Sequence, residues 1–320
     1  MPVRIIAEIG VNHNNDMATA RAMILSAQQC GADMVKMQAS TISEEVSTRH
    51  APEHAIMLSQ VVPNFDFIRQ CADYASAIDL PFLCTPAGEE SLDFVVSLGV
   101  PAIKVASDNL TNIPFLQAVA RTQLPVILST GMGTLEEIKM ADMVLASRQR
   151  RLTLLHCVSA YPCPDDGANL GALIWMKQQF TGAIIGYSDH TTSELIPAAA
   201  VAMGALVIEK HLTLDRNMPG PDHAASLEPD QFARMVRNIR TVEAAFSTRS
   251  AEIAAHAQGE NARLYRKSLV AKAPIAMGEL LTPDNVTAKR PGTGIPVSRW
   301  NSVMGTVAQR DFAPDELIEQ

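Results

Sequence analysis

The sequence predicts an α/β fold, a (β/α)8 TIM barrel followed by a small C-terminal module. Three observations support this prediction. Short apolar runs alternate with helical segments, which is typical of parallel strands joined by crossover helices. Eight such units fit into roughly 250 residues, which favours a closed barrel over an open doubly wound sheet. Beyond residue 262, prolines and glycines interrupt the apolar runs, which is typical of a turn-rich module.

The predicted strands are short and mostly continuous in apolar character, as expected for parallel strands covered on both faces. They are Val3–Ile9, Asp33–Gln38, Pro81–Thr85, Pro101–Ala106, Pro125–Thr130, Arg151–Cys157, Gly182–Tyr187 and Ala205–His211. Helical segments between them carry recognisable end signals. These are Asp16 and Gly31 for the first helix, Glu89 and Gly99 for another, the capping-box pattern Thr134–Glu137 for a third, and Pro229 to Phe246 for the last.

The connection from Thr41 to about Pro63 is long for a compact barrel, and connections of this length are usually functional or disordered. We expect either a lid over the site or a subunit contact, with a surface insertion as the alternative. The barrel is predicted to span residues 1–248, a polar, Ala-rich linker residues 249–262, and the C-terminal module residues 263–320.

Composition and charge exclude several classes of protein. The 320 residues are 47% hydrophobic and 19% charged, which is ordinary for a soluble protein. A net charge of −8 argues against a general nucleic-acid binder, because neutralising phosphates requires an excess of Lys and Arg. No apolar run reaches the roughly 18 residues of a membrane span, and the first residues lack the features of a signal peptide. We therefore expect a cytoplasmic protein.

The charge is unevenly distributed along the chain. Residues 261–320 carry eight Lys and Arg against six Asp and Glu, whereas residues 1–260 carry 18 against 28. This asymmetry predicts two units, of which the smaller is basic enough to face an acidic surface or an anionic ligand.

The five cysteines are odd in number and show no zinc or redox spacing. They are Cys30, Cys71, Cys84, Cys157 and Cys163. Because a lone cysteine is usually a small hydrophobe, we interpret all five in that way.

Polar side chains stand at the carboxyl ends of the predicted strands, which is where TIM barrels carry their active groups. Several come in pairs two residues apart, a spacing that points both side chains to one face of a strand. Charged groups in apolar strands are costly unless they have partners, so this recurrence predicts a polar mouth on an apolar barrel. The residues are Glu8, Lys36, Gln38, Thr85, Lys104, Ser107, Ser129, Ser159, Tyr161, Ser188, His190, Glu209 and His211.

Lys36 and Lys104 lie in otherwise apolar strands, and the predicted circle surrounds them with hydroxyl groups. Two ammonium groups with several hydrogen-bond donors suit a phosphate and a carboxylate. Two other interpretations remain open at this stage. Either lysine is a Schiff-base nucleophile, as in barrel aldolases, or a member of a structural ion pair.

His190 and His211 end two consecutive strands, which are neighbours in a closed barrel, so their rings can converge. Two imidazoles with open positions suit a divalent ion that also holds water or substrate oxygens. The alternative is one general base and one histidine bonded within the core. Glu8, Asp189 and Glu209 are the nearest acids that could complete or orient such a site. Asp222 lies in a turn-like stretch after the last strand, where it either binds sugar hydroxyls or only shapes the turn.

Taken in order, these segments resemble the sialic acid synthase family over essentially the whole chain. The motifs that carry the resemblance are Ala7–His13, Gly31–Gln38, Leu128–Met132, Ile185–His190, Ile208–His211 and Pro219–Asp222. In the tail, Arg266–Val270, Ala276–Leu281 and Lys289–Gly294 are similar to the family's antifreeze-like (SAF) C-terminal domain.

The resemblance implies a divalent metal at His190 and His211, with Mn2+ as first choice and Mg2+ or Co2+ as substitutes. It implies phosphoenolpyruvate contacts from Lys36, Thr85, Lys104, Ser107, Ser129 and Ser188, and sugar contacts from Gln38, Tyr161 and Asp222. Ser159 belongs to the same predicted substrate site. The resemblance also implies a domain-swapped homodimer in which Arg290 reaches the sugar bound by the partner subunit.

The expected reaction joins C3 of phosphoenolpyruvate to the aldehyde of an open-chain N-acylated hexosamine such as N-acetylmannosamine. Water then adds at C2, and phosphate leaves through C–O cleavage. Glu8 is the candidate for proton transfer near that water.

One departure concerns the sugar. The chain has Asp108 and Asn109 after Ser107, where the family commonly has Gly and then an acid. Asn109 thus replaces an acidic sugar contact, and a 6-deoxy-diacetamido sugar is an alternative substrate. The motifs Pro219–His223 and Arg290–Gly294 favour N-acetylneuraminate or legionaminate over pseudaminate.

Two rival functions follow from single features of the sequence. A Schiff-base aldolase would use Lys36 or Lys104, and would survive a chelator. A non-catalytic ice-binding protein is suggested by the antifreeze-like tail alone, but ice binding needs a flat, regular face, which residues 266–320 do not indicate.

Overall fold

A computed structural model describes residues 2–145, 152–246 and 259–319 of the chain. The first compact unit, Met1–Phe246, contains a closed barrel of eight parallel strands in sequential order, with β1 paired to both β2 and β8. The strands are β1 Arg4–Gly10, β2 Met34–Ala39, β3 Phe82–Pro86, β4 Ile103–Val105, β5 Val126–Ser129, β6 Leu152–Cys157, β7 Ile184–Asp189 and β8 Val207–His211. The predicted TIM barrel is confirmed.

Helices follow the strands and form the outer layer of the barrel, as the alternating pattern predicts. They are α1 Met17–Gln29, α2 Ile42–Glu45, α3 Pro52–Val61, α4 Phe65–Ala77, α5 Glu89–Ser97, α6 Ile113–Arg121, α7 Leu135–Leu145, α8 Gly171–Gln179, α9 Ile196–Ala202 and α10 Pro229–Phe246. Short 3-10 turns occur at Ser107–Asn109, Asp165–Gly167 and His223–Ala225.

The predicted helix ends are present. The carboxylate of Asp16 accepts a hydrogen bond from the backbone N–H of Thr19 at 2.7 Å, which satisfies one of the free donors of the first turn of α1. Thr134 and Glu137 form a capping box, with each side chain bonded to the other residue's backbone N–H at 3.3 and 2.7 Å. Gly99, beyond the end of α5, has a φ of +70°, which a residue without Cβ adopts at little cost.

The inward faces of the strands change from apolar to polar in one step. Near the amino ends, a small apolar cluster fills the barrel with Ile6, Leu83, Ala102, Ile127, Leu155 and Val207. Because strand side chains alternate, the next inward residue is two positions later. On several strands that residue is polar: Ile6 is followed by Glu8, Ala102 by Lys104 and Val207 by Glu209. The apolar layer thus supports a polar layer at the carboxyl ends.

The connection from Thr41 to Pro63 contains helices that the sequence did not predict. It contains α2 and α3, and Thr41 with Glu44 forms a capping box at the start of α2. The sequence conceals α3 because its apolar residues do not form a buried face. Ala55 is buried, whereas Ile56 is 62% exposed. The prediction that this segment covers the site or contacts another subunit stays a prediction.

The second compact unit, Ser247–Gln320, has its own core. Within the described residues it contains a two-stranded antiparallel sheet, β9 Ser268–Ala271 and β10 Val286–Lys289, with short helices at Glu260–Tyr265 and Trp300–Val303. Leu269, Ile275, Leu281, Phe312 and Ile318 are among its buried core residues. The predicted boundary at residue 248 and most of the predicted linker 249–262 lie outside the described residues, as does Arg151 of the predicted sixth strand.

Among the helices of the described residues, none is both long and apolar enough to cross a membrane.

Candidate active site

A cavity of about 480 Å³ opens at the carboxyl ends of the strands. It is lined by all of the strand-end side chains that the sequence places there: Glu8, Lys36, Gln38, Thr85, Lys104, Ser107, Ser129, Ser159, Tyr161, Ser188, His190, Glu209 and His211. Asp222 and Arg290, the other two predicted site residues, are not part of this lining. The strand-end pattern therefore brings its residues together in one place.

Two lysines and two glutamates form a buried charge cluster in the cavity wall. Lys36 Nζ lies 2.8 Å from Glu8 Oε2 and 3.2 Å from Glu209 Oε2. Lys104 Nζ lies 3.6 Å from the other oxygen of Glu209. Glu209 thus bridges the two ammonium groups, a role that its position in the sequence does not reveal.

A hydroxyl group accompanies three of these charged groups. Lys36 Nζ donates to Thr85 Oγ1 at 3.2 Å, and Lys104 Nζ donates to Ser129 Oγ at 2.8 Å. Ser188 Oγ donates to Glu209 Oε1 at 2.9 Å. Buried charges are tolerated when they are paired and hydrogen-bonded in this way.

Burial and neighbouring charges set the protonation of the cluster. Burial lowers the pKa of Lys36 to about 8, against the attraction of Glu209, so its ammonium form prevails at neutral pH. Burial alone would raise the pKa of Glu209, but the positive charges of Lys104 and Lys36 outweigh it and hold the pKa well below its usual value. The carboxylate of Glu209 is therefore ionised between two cations.

The formal charges of the two lysines and two glutamates cancel. An incoming anion must therefore compete with Glu8 and Glu209 for the ammonium groups and for the hydroxyls of Thr85 and Ser129. A ligand with two separate anionic groups can engage both lysines at once, and charge-assisted hydrogen bonds to each group are the strong ones. The cluster is suited to a small phosphorylated acid.

His190 and His211 lie beside the cluster, with ring centroids 5.7 Å apart. His190 Nδ1 lies 2.7 Å from the carbonyl oxygen of Val158, which can only accept, so Nδ1 carries the proton and Nε2 keeps its lone pair. Burial lowers the pKa of both histidines to about 4, with further lowering from His211 in the one case and from Lys36 in the other. Both rings are therefore neutral at pH 7.

These two rings fit a divalent cation. A neutral imidazole with its other nitrogen bound to a carbonyl is the usual form of a metal-ligating histidine. His211 Nδ1 is buried and has no hydrogen-bond partner among the described residues. Within those same residues, no group of three or more His, Cys, Asp and Glu side chains is arranged to hold a metal, so a cation here would take its remaining ligands from water or substrate.

Asp222 lies next to the histidines, outside the cavity lining. Its Oδ2 is 3.7 Å from His211 Nδ1, beyond hydrogen-bond distance. Gly10, which has a φ of +46°, separates Asp222 from Glu8. A Cβ on Gly10 would lie 3.1 Å from Asp222 Oδ2 and 3.0 Å from Glu8 Oε1, so only glycine leaves this space open.

The interpretation of all five cysteines as simple hydrophobes is wrong for Cys157. It lines the cavity, and its Sγ lies 3.2 Å from Ser107 Oγ. Ser107 Oγ also accepts from the backbone N–H of Gly131 at 3.0 Å. A Cβ on Gly131 would lie 2.4 Å from Ser159 Oγ and 2.8 Å from Cys157 Sγ, so this glycine lets the three polar side chains meet.

Asn109, the departure from the family pattern, lines the cavity, but its amide is already bonded within the protein. Oδ1 accepts from Asn112 Nδ2 at 2.8 Å, and Nδ2 donates to the carbonyl oxygen of Ala87 at 3.4 Å.

The cavity lining also includes residues to which the sequence assigned no role: Glu45, Leu58, Asp108 and Met132. Glu45 and Leu58 come from α2 and α3, which the sequence did not predict.

Arg290 belongs to the second unit, where its guanidinium lies 5.1 Å from the ring centroid of Tyr265. This is a cation–π distance, and it restricts the side chain. The prediction that Arg290 contacts a sugar stays a prediction.

Comparison with known proteins yields two family matches. Residues 23–251 match the model of the NeuB family, and residues 266–320 match the SAF domain. The chain is 38% identical to N,N'-diacetyllegionaminic acid synthase of Campylobacter jejuni, over 99% of this chain and 98% of that protein. It is 33% identical to human N-acetylneuraminate-9-phosphate synthase, over 99% and 93%.

A solved structure gives a consistent result. The chain superposes on N-acetylneuraminic acid synthetase from Leptospira borgpetersenii in complex with citrate, with a TM-score of 0.74 and 32% identity. The match covers 80% of this chain and 90% of that one.

Proposed function

This chain belongs to the NeuB family, and on that basis we propose that it is a nonulosonate synthase that condenses phosphoenolpyruvate with an open-chain N-acylated hexosamine and releases phosphate. The observation that carries the proposal is the cluster of Lys36 and Lys104, each with its own hydroxyl partner, beside the paired rings of His190 and His211. The cluster suits an anion with two charged groups, and the rings suit a cation next to it.

We assign phosphoenolpyruvate to the lysine end of the cavity. Lys36 and Lys104 bind its phosphate and carboxylate, with Thr85, Ser129 and Ser188 as further hydrogen-bond partners. The sugar occupies the part lined by Gln38 and Tyr161. The Tyr161 ring centroid is 4.1 Å from that of His190, which brings the sugar end close to the histidines.

His190 and His211 would hold the divalent metal, with Mn2+ as first choice and Mg2+ or Co2+ as alternatives. When bound, such an ion polarises the aldehyde oxygen of the sugar and makes its carbon a better electrophile. The chain supplies two neutral imidazoles for this purpose, because burial keeps both rings unprotonated at pH 7.

Charged side chains of the protein favour the individual steps of the reaction. Bond formation joins C3 of phosphoenolpyruvate to the aldehyde carbon, which leaves positive charge at C2. Glu209, which is ionised beside Lys36, favours that charge electrostatically. Water adds at C2, and Glu8 is the candidate to take its proton, while the oxygen of the former aldehyde gains a proton and becomes a hydroxyl. The C–O bond to phosphate then breaks as the new C2 hydroxyl loses its proton and becomes the ketone. Lys36 and Lys104 stabilise the departing phosphate.

A second candidate for the sugar follows from Asn109. An amide that is bonded to Asn112 and Ala87 does not offer the negative charge with which an acid would bind sugar hydroxyls. A 6-deoxy sugar lacks one such hydroxyl. Together with the 38% identity to a legionaminic acid synthase, this favours a 6-deoxy-diacetamido sugar over N-acetylmannosamine.

We also propose the domain-swapped homodimer in which Arg290 reaches the partner's sugar.

The test is a phosphate-release assay with phosphoenolpyruvate and a panel of N-acylated hexosamines that includes N-acetylmannosamine and a 6-deoxy-diacetamido sugar. We expect release that requires both a sugar and a divalent cation and that stops when a chelator is added. No release with any sugar would refute the proposed function. Borohydride trapping of a lysine with a carbonyl substrate, together with turnover that persists in chelator, would support the Schiff-base aldolase instead.

The pKa of Lys36 predicts a pH dependence. The ammonium form binds the anion, so deprotonation above about pH 8 weakens binding. We expect kcat/KM for phosphoenolpyruvate to fall roughly tenfold per pH unit above that value, because this parameter reports the free enzyme. kcat should fall less, since a bound anion raises the pKa of Lys36.

The control is Lys36→Arg, whose guanidinium stays charged to above pH 12. Calorimetric titration with phosphoenolpyruvate should show that the variant's affinity, whatever its absolute value, no longer declines near pH 8. A decline at the same pH in Lys36→Arg would assign it to another group.

A further inference from the structure

Asp189 and Lys210 form an ion pair that the proposed reaction does not use. They are register partners on β7 and β8, and both are fully buried. Each alternates with cavity residues: Asp189 lies between Ser188 and His190, and Lys210 between Glu209 and His211. Because strand side chains alternate, the pair lies on the opposite face of the barrel wall from the two histidines.

The carboxylate of Asp189 has several partners. Oδ1 accepts from Tyr187 Oη at 3.0 Å and from the backbone N–H of Thr191 at 3.0 Å. Oδ2 accepts from Thr191 Oγ1 at 3.1 Å and from Lys210 Nζ. The acid therefore fixes the backbone on the carboxyl side of His190.

Lys210 joins the same segment to β8. Its ammonium group donates to the carbonyl oxygens of Thr191 and, at 3.4 Å, of Ser193, as well as to Asp189. On the other side, the carbonyl oxygen of His190 accepts from the backbone N–H of Cys163 at 2.8 Å. His190 is thus held towards β6 by Cys163 and Val158, and towards β8 by Lys210 and Asp189.

A contribution to folding stability does not explain why Asp189 and Lys210 form a buried ion pair. Removing two charges from water is costly, and replacing a buried pair with apolar groups of similar size is often neutral or stabilising. A buried pair that ties two strand ends does give a fixed geometry, because its hydrogen bonds are satisfied in one arrangement only. The groups that gain from a fixed geometry here are the two adjacent imidazoles.

We propose that Asp189 and Lys210 are a positioning pair that sets the spacing of His190 and His211, and thereby the affinity of the site for a divalent cation. This inference rests on the metal of the proposed function. It adds residues that touch neither cation nor substrate and act only through the two rings.

The test variant is the double substitution Asp189→Asn/Lys210→Met, which removes both charges but keeps an amide oxygen for Tyr187 and Thr191. Metal-stripped full-length protein is titrated with Mn2+, and free Mn2+ is followed by its EPR signal. We expect a thermal unfolding temperature near that of the parent chain and a Kd for Mn2+ raised about tenfold or more, the usual effect of losing outer support for metal ligands. Saturating Mn2+ should restore phosphate release towards the parent value.

The matched control removes an ion pair at the opposite end of the barrel. Arg240 Nη2 lies 2.8 Å from Asp33 Oδ2, which also accepts from the backbone N–H of Ile5. Asp33→Asn/Arg240→Met should leave the Kd for Mn2+ within about twofold of the parent chain, because this pair contacts neither β7 nor β8 at its carboxyl end. A rise equal to that of the test variant would overturn the inference.

Two further outcomes are decisive. A double variant that folds and binds Mn2+ within about twofold of the parent overturns the positioning role and leaves the proposed function intact. If the double variant does not fold, Tyr187→Phe carries the test, because it removes a single hydrogen bond to Asp189 and should raise the Kd about threefold. An unchanged Kd in Tyr187→Phe would then refute the inference. A parent chain that does not bind Mn2+ would overturn both the inference and the proposed metal.

Discussion

Replacing Lys104 with methionine is expected to lower kcat/KM for phosphoenolpyruvate by about three orders of magnitude. Lys104 is buried, and its ammonium group donates to Ser129 at 2.8 Å beside Glu209. Without it, Lys36 faces Glu8 and Glu209 alone, and the site repels an anion. Loss of one partner of a buried charged contact costs about 3–5 kcal/mol, and about 1.4 kcal/mol corresponds to tenfold.

The variant should fold, because Glu209 keeps Lys36 at 3.2 Å and Ser188 at 2.9 Å. Ser129→Ala provides a graded control, since it removes one hydrogen bond and no charge, and should cost roughly tenfold. Steady-state phosphate release measures both. Activity of Lys104→Met within tenfold of the parent chain would place the anion elsewhere.

Lys104→Arg separates the anion site from the Schiff-base alternative. A guanidinium still binds phosphate and carboxylate, but it is never deprotonated to a nucleophile at working pH. Measurable phosphate release in Lys104→Arg would therefore exclude Lys104 as a Schiff-base nucleophile and support its role in the anion site. Complete loss in Lys104→Arg together with borohydride trapping in the parent chain would favour the aldolase.

The sequence was sufficient to predict the barrel and most of the cavity, for a geometric reason. Parallel strands in a closed barrel bring their carboxyl ends to one rim. Polar residues at the ends of different strands are therefore expected to lie close together. Lys36 with Gln38, and Glu209 with His211, are each two residues apart and share a face. Strand ends differ from the prediction by a few residues. β4 begins at Ile103 because Pro101 has no N–H to donate to a neighbouring strand.

What the sequence could not supply depends on distances between strands that are not adjacent in the chain. Glu209 bridges Lys36 of β2 and Lys104 of β4, and nothing in the local pattern of β8 indicates either contact. Cys157 is the last residue of the apolar strand β6, and nothing in the sequence distinguishes it from a core cysteine; only the structure shows Ser107 Oγ 3.2 Å from its Sγ. α3 was missed because Ala55 is its one buried residue, so no helical period of buried residues marks it.

The charge cluster also influences the protonation of the neighbouring histidines. His211 is neutral partly because Lys36 lowers its pKa, in addition to the effect of burial. Lys36 in turn depends on Glu209 for its own charge, against the cost of burial. A single side chain therefore affects both the anion end and the metal end of the cavity, so substitutions at Glu8, Lys36 and Glu209 are not expected to be additive with those at the histidines.

Replacing His211 with glutamine is expected to abolish the retention of Mn2+ and to lower phosphate release by at least three orders of magnitude. Within the described residues, no third His, Cys, Asp or Glu side chain joins the two histidines in a metal-holding group, so His190 alone would remain. Changes in the outer support of metal ligands cost about 10–100-fold in affinity, and loss of a ligand should exceed the upper end of that range. EPR titration of metal-stripped protein with Mn2+ measures the affinity directly.

The matched control is His13→Gln. Burial lowers the pKa of His13 to about 4 as well, but this ring packs against Phe67 at 4.9 Å and lies outside the cavity lining. Its substitution should lower the unfolding temperature while leaving Mn2+ affinity within about twofold, because it removes a packed ring and not a ligand. If His211→Gln and His13→Gln weaken Mn2+ binding equally, the effect belongs to the stability of the barrel. If only His211→Gln weakens it, the two strand-end imidazoles hold the cation.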